Sequence, residues 1–283
     1  MTATVARMRP SFFIVGVNKC GTSSLYRYLV SHPGVLPCGQ KEPNFFGTNS
    51  ADYIERHIDE YFELFPTADY RGGLTFEWEA SDEAGTSQPV PVHVERSPDG
   101  AYLTGEASAN TFHEVSPALL ARHLPETKLI VVVRNPVDRA YSHHRMYRRF
   151  ARAGSKLGFP VGEFAPDIRA EIHAHERGER TEYLYPGLYF DLLQGWLAAY
   201  GPGQVHVVVT EDLREPPQNR HAMRRLETYL GLPGHDYGDM LNRRFNRAPA
   251  PDMDPSLRAL LAAFYRPHNE RLQDYLGREL TWD

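Results

Sequence analysis

Three uninterrupted apolar runs organise the chain: Phe12 to Val17, Lys128-Leu-Ile-Val-Val-Val133 and Val205-His-Val-Val-Val209. Each is short, rich in β-branched residues and without the alternation of a half-solvated strand, so each predicts a strand buried on both faces. Helical spacing fills the intervals. Ser23 to Ser31 puts Leu25, Tyr28 and Leu29 on one face and stops at His32-Pro33-Gly34. Further helices are predicted after Arg134-Asn135-Pro136 through about Phe150, over Tyr189 to Tyr200, from about Pro217 to Leu230, and from Asp254 to about Leu276. The last has Leu257, Leu260, Leu261, Phe264 and Tyr265 on its apolar side. Leu25, Leu29, Trp196, Leu260 and Phe264 are expected in the core. Apolar strands alternating with helices predict an α/β fold, a mainly parallel sheet flanked by helices.

One stretch breaks the rhythm. Thr75 to Ala80, Val90 to Glu95 and Ala101 to Thr104 are short alternating segments, separated by turn-rich Ser81 to Gln88 and Ser97-Pro-Asp-Gly100. They predict an antiparallel β insert over residues 74–105 within a single domain of 1–283. Two or three short strands are too few to be stable alone, so the insert is expected to pack on the main sheet.

Composition narrows the classes. With 283 residues, 41% hydrophobic and 24% charged, the chain matches a soluble globular protein and excludes a disordered chain or a disulfide-dense mini-protein. The two cysteines, Cys20 and Cys38, allow at most one bridge, which suits a reducing cytoplasm. A net charge of −5 argues against nucleic acid as the main partner. Phe12 to Val17 is too short to span a bilayer and no signal-peptide pattern precedes it, so a cytoplasmic location is expected.

The strongest chemical signal is Gly16-Val-Asn-Lys-Cys-Gly-Thr-Ser-Ser24, between a predicted strand and a predicted helix. Such a P-loop-like turn aims backbone N–H groups and the positive helix end at an anion, while its glycines permit close approach. The Gly16 to Gly21 spacing matches the ATP-type loop, but Thr22 stands where that motif has lysine and Lys19 lies inside the loop instead. A kinase is therefore disfavoured. A second constellation begins where the Lys128 to Val133 run ends: Arg134 at a strand terminus, and Ser142 two turns into the next helix, are placed to share one phosphate. Arg139, Arg145, Arg148 and Arg149 on that helix are equally well read as a solvated charged face.

These motifs, together with Lys41-Glu-Pro-Asn-Phe-Phe46, resemble the sulfotransferases, especially the heparan sulfate type and its bacterial relatives. The similarity continues through Leu184-Tyr-Pro-Gly187, Trp196, Glu211-Asp-Leu213, Asp254-Pro255 and Phe264-Tyr-Arg-Pro-His-Asn269. The resemblance implies a 3′-phosphoadenosine 5′-phosphosulfate (PAPS) donor, released as adenosine 3′,5′-bisphosphate (PAP), and no metal. It implies that Lys19, Cys20, Gly21, Thr22, Ser23 and Ser24 bind the 5′-phosphosulfate, that Arg134 and Ser142 bind the 3′-phosphate, and that Arg247 reaches the donor. Lys19 would be catalytic, stabilising charge on the departing oxygen, and Glu42 would be the general base. Glu42 is open to a plainer reading as a loop carboxylate paired with Lys41, and Arg247 to one as a surface residue.

Departures from the family leave acceptor recognition open. Glu106-Ala107-Ser108-Ala109-Asn110 lacks the lysine that the family often places after this glutamate, making Glu106 a candidate second catalytic carboxylate. Another sulfotransferase branch uses histidine as base. Here, however, His143-His144 and the His173, His175 pair lack metal-ligand spacing. The expected acceptor is a soluble small metabolite or a carrier-protein-bound natural-product intermediate, modified at a hydroxyl or amine, with no nucleic acid and no membrane span. The alternatives are a P-loop small-molecule kinase and a non-catalytic nucleotide- or carbohydrate-binding relative. The sequence leaves the oligomeric state undecided.

Overall fold

A computed structural model of the chain describes residues 6–70, 74–81, 87–94, 102–155, 158–243 and 252–282. Its strands are β1 (Phe12–Gly16), β2 (Val35–Pro37), β3 (Leu74–Ser81), β4 (Ser87–Val94), β5 (Leu103–Ala107), β6 (Lys128–Val133) and β7 (Val205–Val209). Its helices are α1 (Thr22–Ser31), α2 (Phe45–Thr48), α3 (Ala51–Phe62), α4 (Thr111–Glu114), α5 (Pro117–His123), α6 (Pro136–Arg152), α7 (Phe164–Glu176), α8 (Tyr189–Tyr200), α9 (Gln218–Leu230) and α10 (Pro255–Leu276). By internal contacts the chain divides into two compact units. The first takes Met1–Val17, Gly21–Val132 and Trp196–Pro249; the second takes Asn18–Cys20, Val133–Gly195 and Ala250–Asp283.

In the first unit a five-stranded sheet runs in the order β2-β5-β1-β6-β7. β1 is parallel to both neighbours, with Phe12 opposite Gly105 on one side and Lys128 on the other. Every residue of β1 is buried, as its unbroken apolar sequence requires. Leu25 and Leu29 are fully buried on α1. Truncating either to alanine removes packed atoms from an interior and costs about 2–5 kcal/mol.

The predicted insert is corrected at one edge. β3 and β4 form an antiparallel hairpin, in register from Leu74 opposite Val94 to Ser81 opposite Ser87. Residues 103–105 do not join it: they open β5, which lies between β2 and β1 and is parallel to both. Alternating polar residues made this segment look half-solvated, yet Thr104 and Glu106 are buried. Their polar atoms are satisfied internally, Thr104 Oγ1 donating to Leu36 O at 3.0 Å. The Ser97 to Gly100 turn and Ala101 lie outside the described residues.

The second unit packs α6, α7, the segment leading into α8, and α10 around a core that includes Val137, Ala140, Ile168, Leu184, Leu188, Leu257, Leu261 and Tyr265. Asp254 caps α10 by accepting from Ser256 N and Leu257 N at 2.9 and 3.1 Å, and Pro255 supplies its first turn. Leu260 and Phe264, expected in the core, are partly buried at its rim, whereas Trp196 is 1% exposed. Cys20 and Cys38 are buried and not joined in a disulfide. Among the described residues no helix is long and apolar enough to cross a membrane.

Candidate functional site

The loop that leaves β1 is shaped by two glycines. A Cβ on Gly16 would lie 2.5 Å from Phe112 Cβ and 3.1 Å from Ala109 O, so no side chain fits. Gly21, at φ +88°, is left-handed and immediately precedes α1. No side chain caps α1 and no acidic residue stands in its first turn. The helix therefore offers its positive end and first-turn N–H groups to an external anion. Thr22 is buried, and Ser23 and Ser24 are half-buried.

In the second unit, Asn18, Lys19 and Cys20 are held from several sides. Lys19 is left-handed at φ 67°, a strained position for a residue with a Cβ. Arg134 Nη1 donates to Lys19 O at 3.3 Å, and the Tyr189 hydroxyl donates to Arg134 O at 2.8 Å. Lys19 Nζ reaches Met146 Sδ at 3.5 Å. The Cys20 thiol is 3.5 Å from the Tyr189 hydroxyl and is buried, leaving the loop backbone as what Cys20 can present. Asn135 caps α6, its side chain accepting from Val137 N and Asp138 N. Arg134 approaches Asp138 at 4.0 Å, and among the described residues its buried Nε has no hydrogen-bond partner. That atom is an unused donor on a positively charged side chain, which fits an anionic ligand group. Ser142 is half-buried on α6.

Arg139 corrects the solvated-face expectation. It is fully buried, donating to Asn18 Oδ1 at 3.1 Å and to Tyr183 O. Its sequence position gave no sign of this, because the partners lie far along the chain. Asn18 also lies 3.3 Å from His143 Nε2, and His143 is fully buried. His144 contacts Asp167 at 3.0 Å, while burial lowers its proton affinity. Arg148 and Arg149 keep the surface character expected of them: Arg148 pairs with Glu163, and Arg149 is exposed. Arg247 lies outside the described residues.

Both candidate carboxylates belong to the first unit. Glu42 is accessible and pairs with Lys41 at 2.8 Å, the contact its plainer reading anticipates. Its backbone is left-handed (φ 56°), as is that of Asn44 (φ 51°), whose Nδ2 donates to Glu42 O at 3.1 Å. Glu106 is 1% exposed. It accepts from the Tyr61 hydroxyl at 2.7 Å and from Ser108 Oγ at 2.5 Å. Burial pushes its proton affinity up to about 7; the two hydrogen bonds oppose that rise and the charge of Glu42 adds to it. A carboxylate this enclosed presents no surface to an acceptor. Sequence reasoning missed Asn18, Asn44, Tyr61, Ser108, Arg139 and Tyr189. For Ser108 a signal existed, since two residues along an extended chain return to the same face.

A mainly parallel sheet whose first strand passes through a glycine-bounded loop into an uncapped helix defines the class of α/β proteins. Within that class, the chain belongs to the sulfotransferase family, whose profile matches residues 10–236. It is 28% identical to human bifunctional heparan sulfate N-deacetylase/N-sulfotransferase 3 and 31% identical to the human form 2, over 95% of this chain in each case. The chain spans about 30% of the length of these relatives. Among solved structures it resembles a sulfotransferase from Alicyclobacillus acidocaldarius, at 26% identity and a TM-score of 0.67, covering 97% of this chain and 98% of the other.

Proposed function

We propose that this protein transfers the sulfuryl group of PAPS to a hydroxyl or amine of its acceptor. The observation that carries this reading is the continuous stretch from Gly16 to Ser24: Lys19 stands in a left-handed loop that leads into an uncapped helix start. Lys19, Cys20, Gly21, Thr22, Ser23 and Ser24 are assigned to the 5′-phosphosulfate. Arg134, with its unpartnered Nε, and Ser142 are assigned to the 3′-phosphate. Arg247 keeps its assignment to the donor on the family resemblance alone.

In the reaction proposed, the acceptor oxygen or nitrogen forms a bond to sulfur as the bond from sulfur to the 5′-phosphate oxygen breaks. PAP departs with the bonding electrons. The Lys19 ammonium opposes the negative charge growing on that oxygen, an interaction stronger in the transition state than in the ground state. Glu42 accepts the acceptor's proton, its accessible carboxylate giving up the Lys41 contact.

A PAPS donor separates this reading from a kinase. PAP without metal should raise the melting temperature more than ADP with Mg²⁺, because a ligand selective for the native state stabilises it by mass action. The reverse order would reject it. The heparan sulfate relatives make a free-amine heparan-type oligosaccharide the first acceptor probe, tested beside small hydroxyl compounds and carrier-bound intermediates. Labelled sulfate appearing on none of them would leave only donor binding and favour a non-catalytic relative.

A further inference from the structure

Both oxygens of Glu106 accept hydrogen bonds from hydroxyls, so the single proton of Ser108 is committed to Glu106. The Ser108 lone pairs are then what receive the Asn44 N–H, at 3.0 Å. Asn44 in turn donates from its side chain to Glu42 O. This relay ends on two non-glycine residues in the left-handed region, Glu42 and Asn44. Such conformations cost about 1–3 kcal/mol each and persist only where the surroundings over-determine them.

We propose that Glu106 is a positioning residue: through Ser108 and the Asn44 amide it holds the turn that presents Glu42, and it exchanges no proton with the acceptor. This rests on the reading of Glu42 as the base. The titratable groups around Glu106 are Tyr61 on α3, Tyr26 on α1, Cys38 after β2 and Glu42 itself. Protonating Glu106 removes the charge that strengthens the Tyr61 and Ser108 hydrogen bonds and makes one of its oxygens a poorer acceptor. The turn loosens as pH falls below about 7.

The test combines structure and turnover. In protein labelled with ¹⁵N-asparagine, the Asn44 amide resonance should titrate with a midpoint near 7 and lose that titration in Glu106→Gln. Deuterium exchange over residues 42–46 should quicken about tenfold in both Glu106→Gln and Ser108→Ala, because local opening becomes easier. With PAPS and the free-amine heparan-type oligosaccharide, kcat should fall about tenfold in both variants while PAP affinity stays at the parental value. Unchanged exchange in both variants overturns the relay. So does a Glu106→Gln protein that loses transfer beside a Ser108→Ala protein that keeps it, which would make Glu106 the proton acceptor. Parental transfer by Glu42→Gln rejects the base assignment instead, and the resonance and exchange results still judge the relay.

Discussion

Asn18 and Arg139 are 121 residues apart in sequence, yet a fully buried guanidinium donates to the asparagine side chain at 3.1 Å. Removing the guanidinium takes one donor from Asn18 Oδ1 and one from the Tyr183 carbonyl. Arg139→Met should therefore lower unfolding free energy by about 1–3 kcal/mol for each buried acceptor that loses its donor. Asn18→Ala should cost about 1–3 kcal/mol, because the buried guanidinium keeps Tyr183 O but loses one acceptor, and should weaken PAP binding through the neighbouring Lys19. Urea denaturation and calorimetry measure both effects. A fully stable, fully binding Asn18→Ala protein would show that the contact is incidental.

Arg134→Ala and Ser142→Ala should weaken PAP much more than adenosine 5′-phosphate. A charge-assisted hydrogen bond is worth about 1.5–3 kcal/mol, so the arginine change should cost roughly 10- to 100-fold in affinity. Titration calorimetry with both nucleotides decides the matter. Equal losses would remove the 3′-phosphate assignment.

Lys19→Ala should fold normally and lose about 100- to 1,000-fold in single-turnover rate, the usual effect of deleting a group that meets developing charge. Its backbone strain is unaltered, because alanine also carries a Cβ at φ 67°. Thermal melts and labelled-donor kinetics supply the two readouts. Near-parental transfer would reject a catalytic role.

The raised proton affinity of Glu106 has a definite sign for stability. An unfolded glutamate ionises near the ordinary value of 4.5, whereas in the folded protein Glu106 holds its proton to about 7. Between these values the folded state binds more protons, so stability falls as pH rises and levels off above about 7. The full swing is on the order of 3 kcal/mol at about 1.4 kcal/mol per pH unit. Glu106→Gln cannot titrate and should lack this component. Denaturation of both proteins from acid to neutral pH tests it: parallel stability curves would mean that Glu106 titrates normally.

Much of the fold was legible because burial on both faces leaves an unmistakable mark on strands such as Leu129 to Val133. The mark fades where buried strands carry polar residues. In β5, Thr104 suits the interior because Leu36 O completes it, and Glu106 because the distant Tyr61 hydroxyl joins the nearby Ser108 in donating to it. The same limit explains Arg139, whose burial depends on Asn18 and Tyr183. The strand-loop-helix turn at Gly16 to Ser24 was readable because its features are local: strand, glycines, lysine and helix start follow one another directly. Glu42 and Arg134 stood out by motif, but their settings, one paired with Lys41 and the other with an idle Nε, required the folded chain.

The two buried cysteines give the protein its own pair of clocks. Cys20 belongs to one compact unit and Cys38 to the other, and each is shut away from solvent. Burial pushes the Cys38 thiol up to about 12, and its Sγ is tied to Leu64 O. A thiolate-seeking reagent must wait for each unit to open. Quantifying adduct mass at each cysteine through a urea series would time the two openings separately in one unaltered molecule, revealing whether the lysine loop releases before the sheet does.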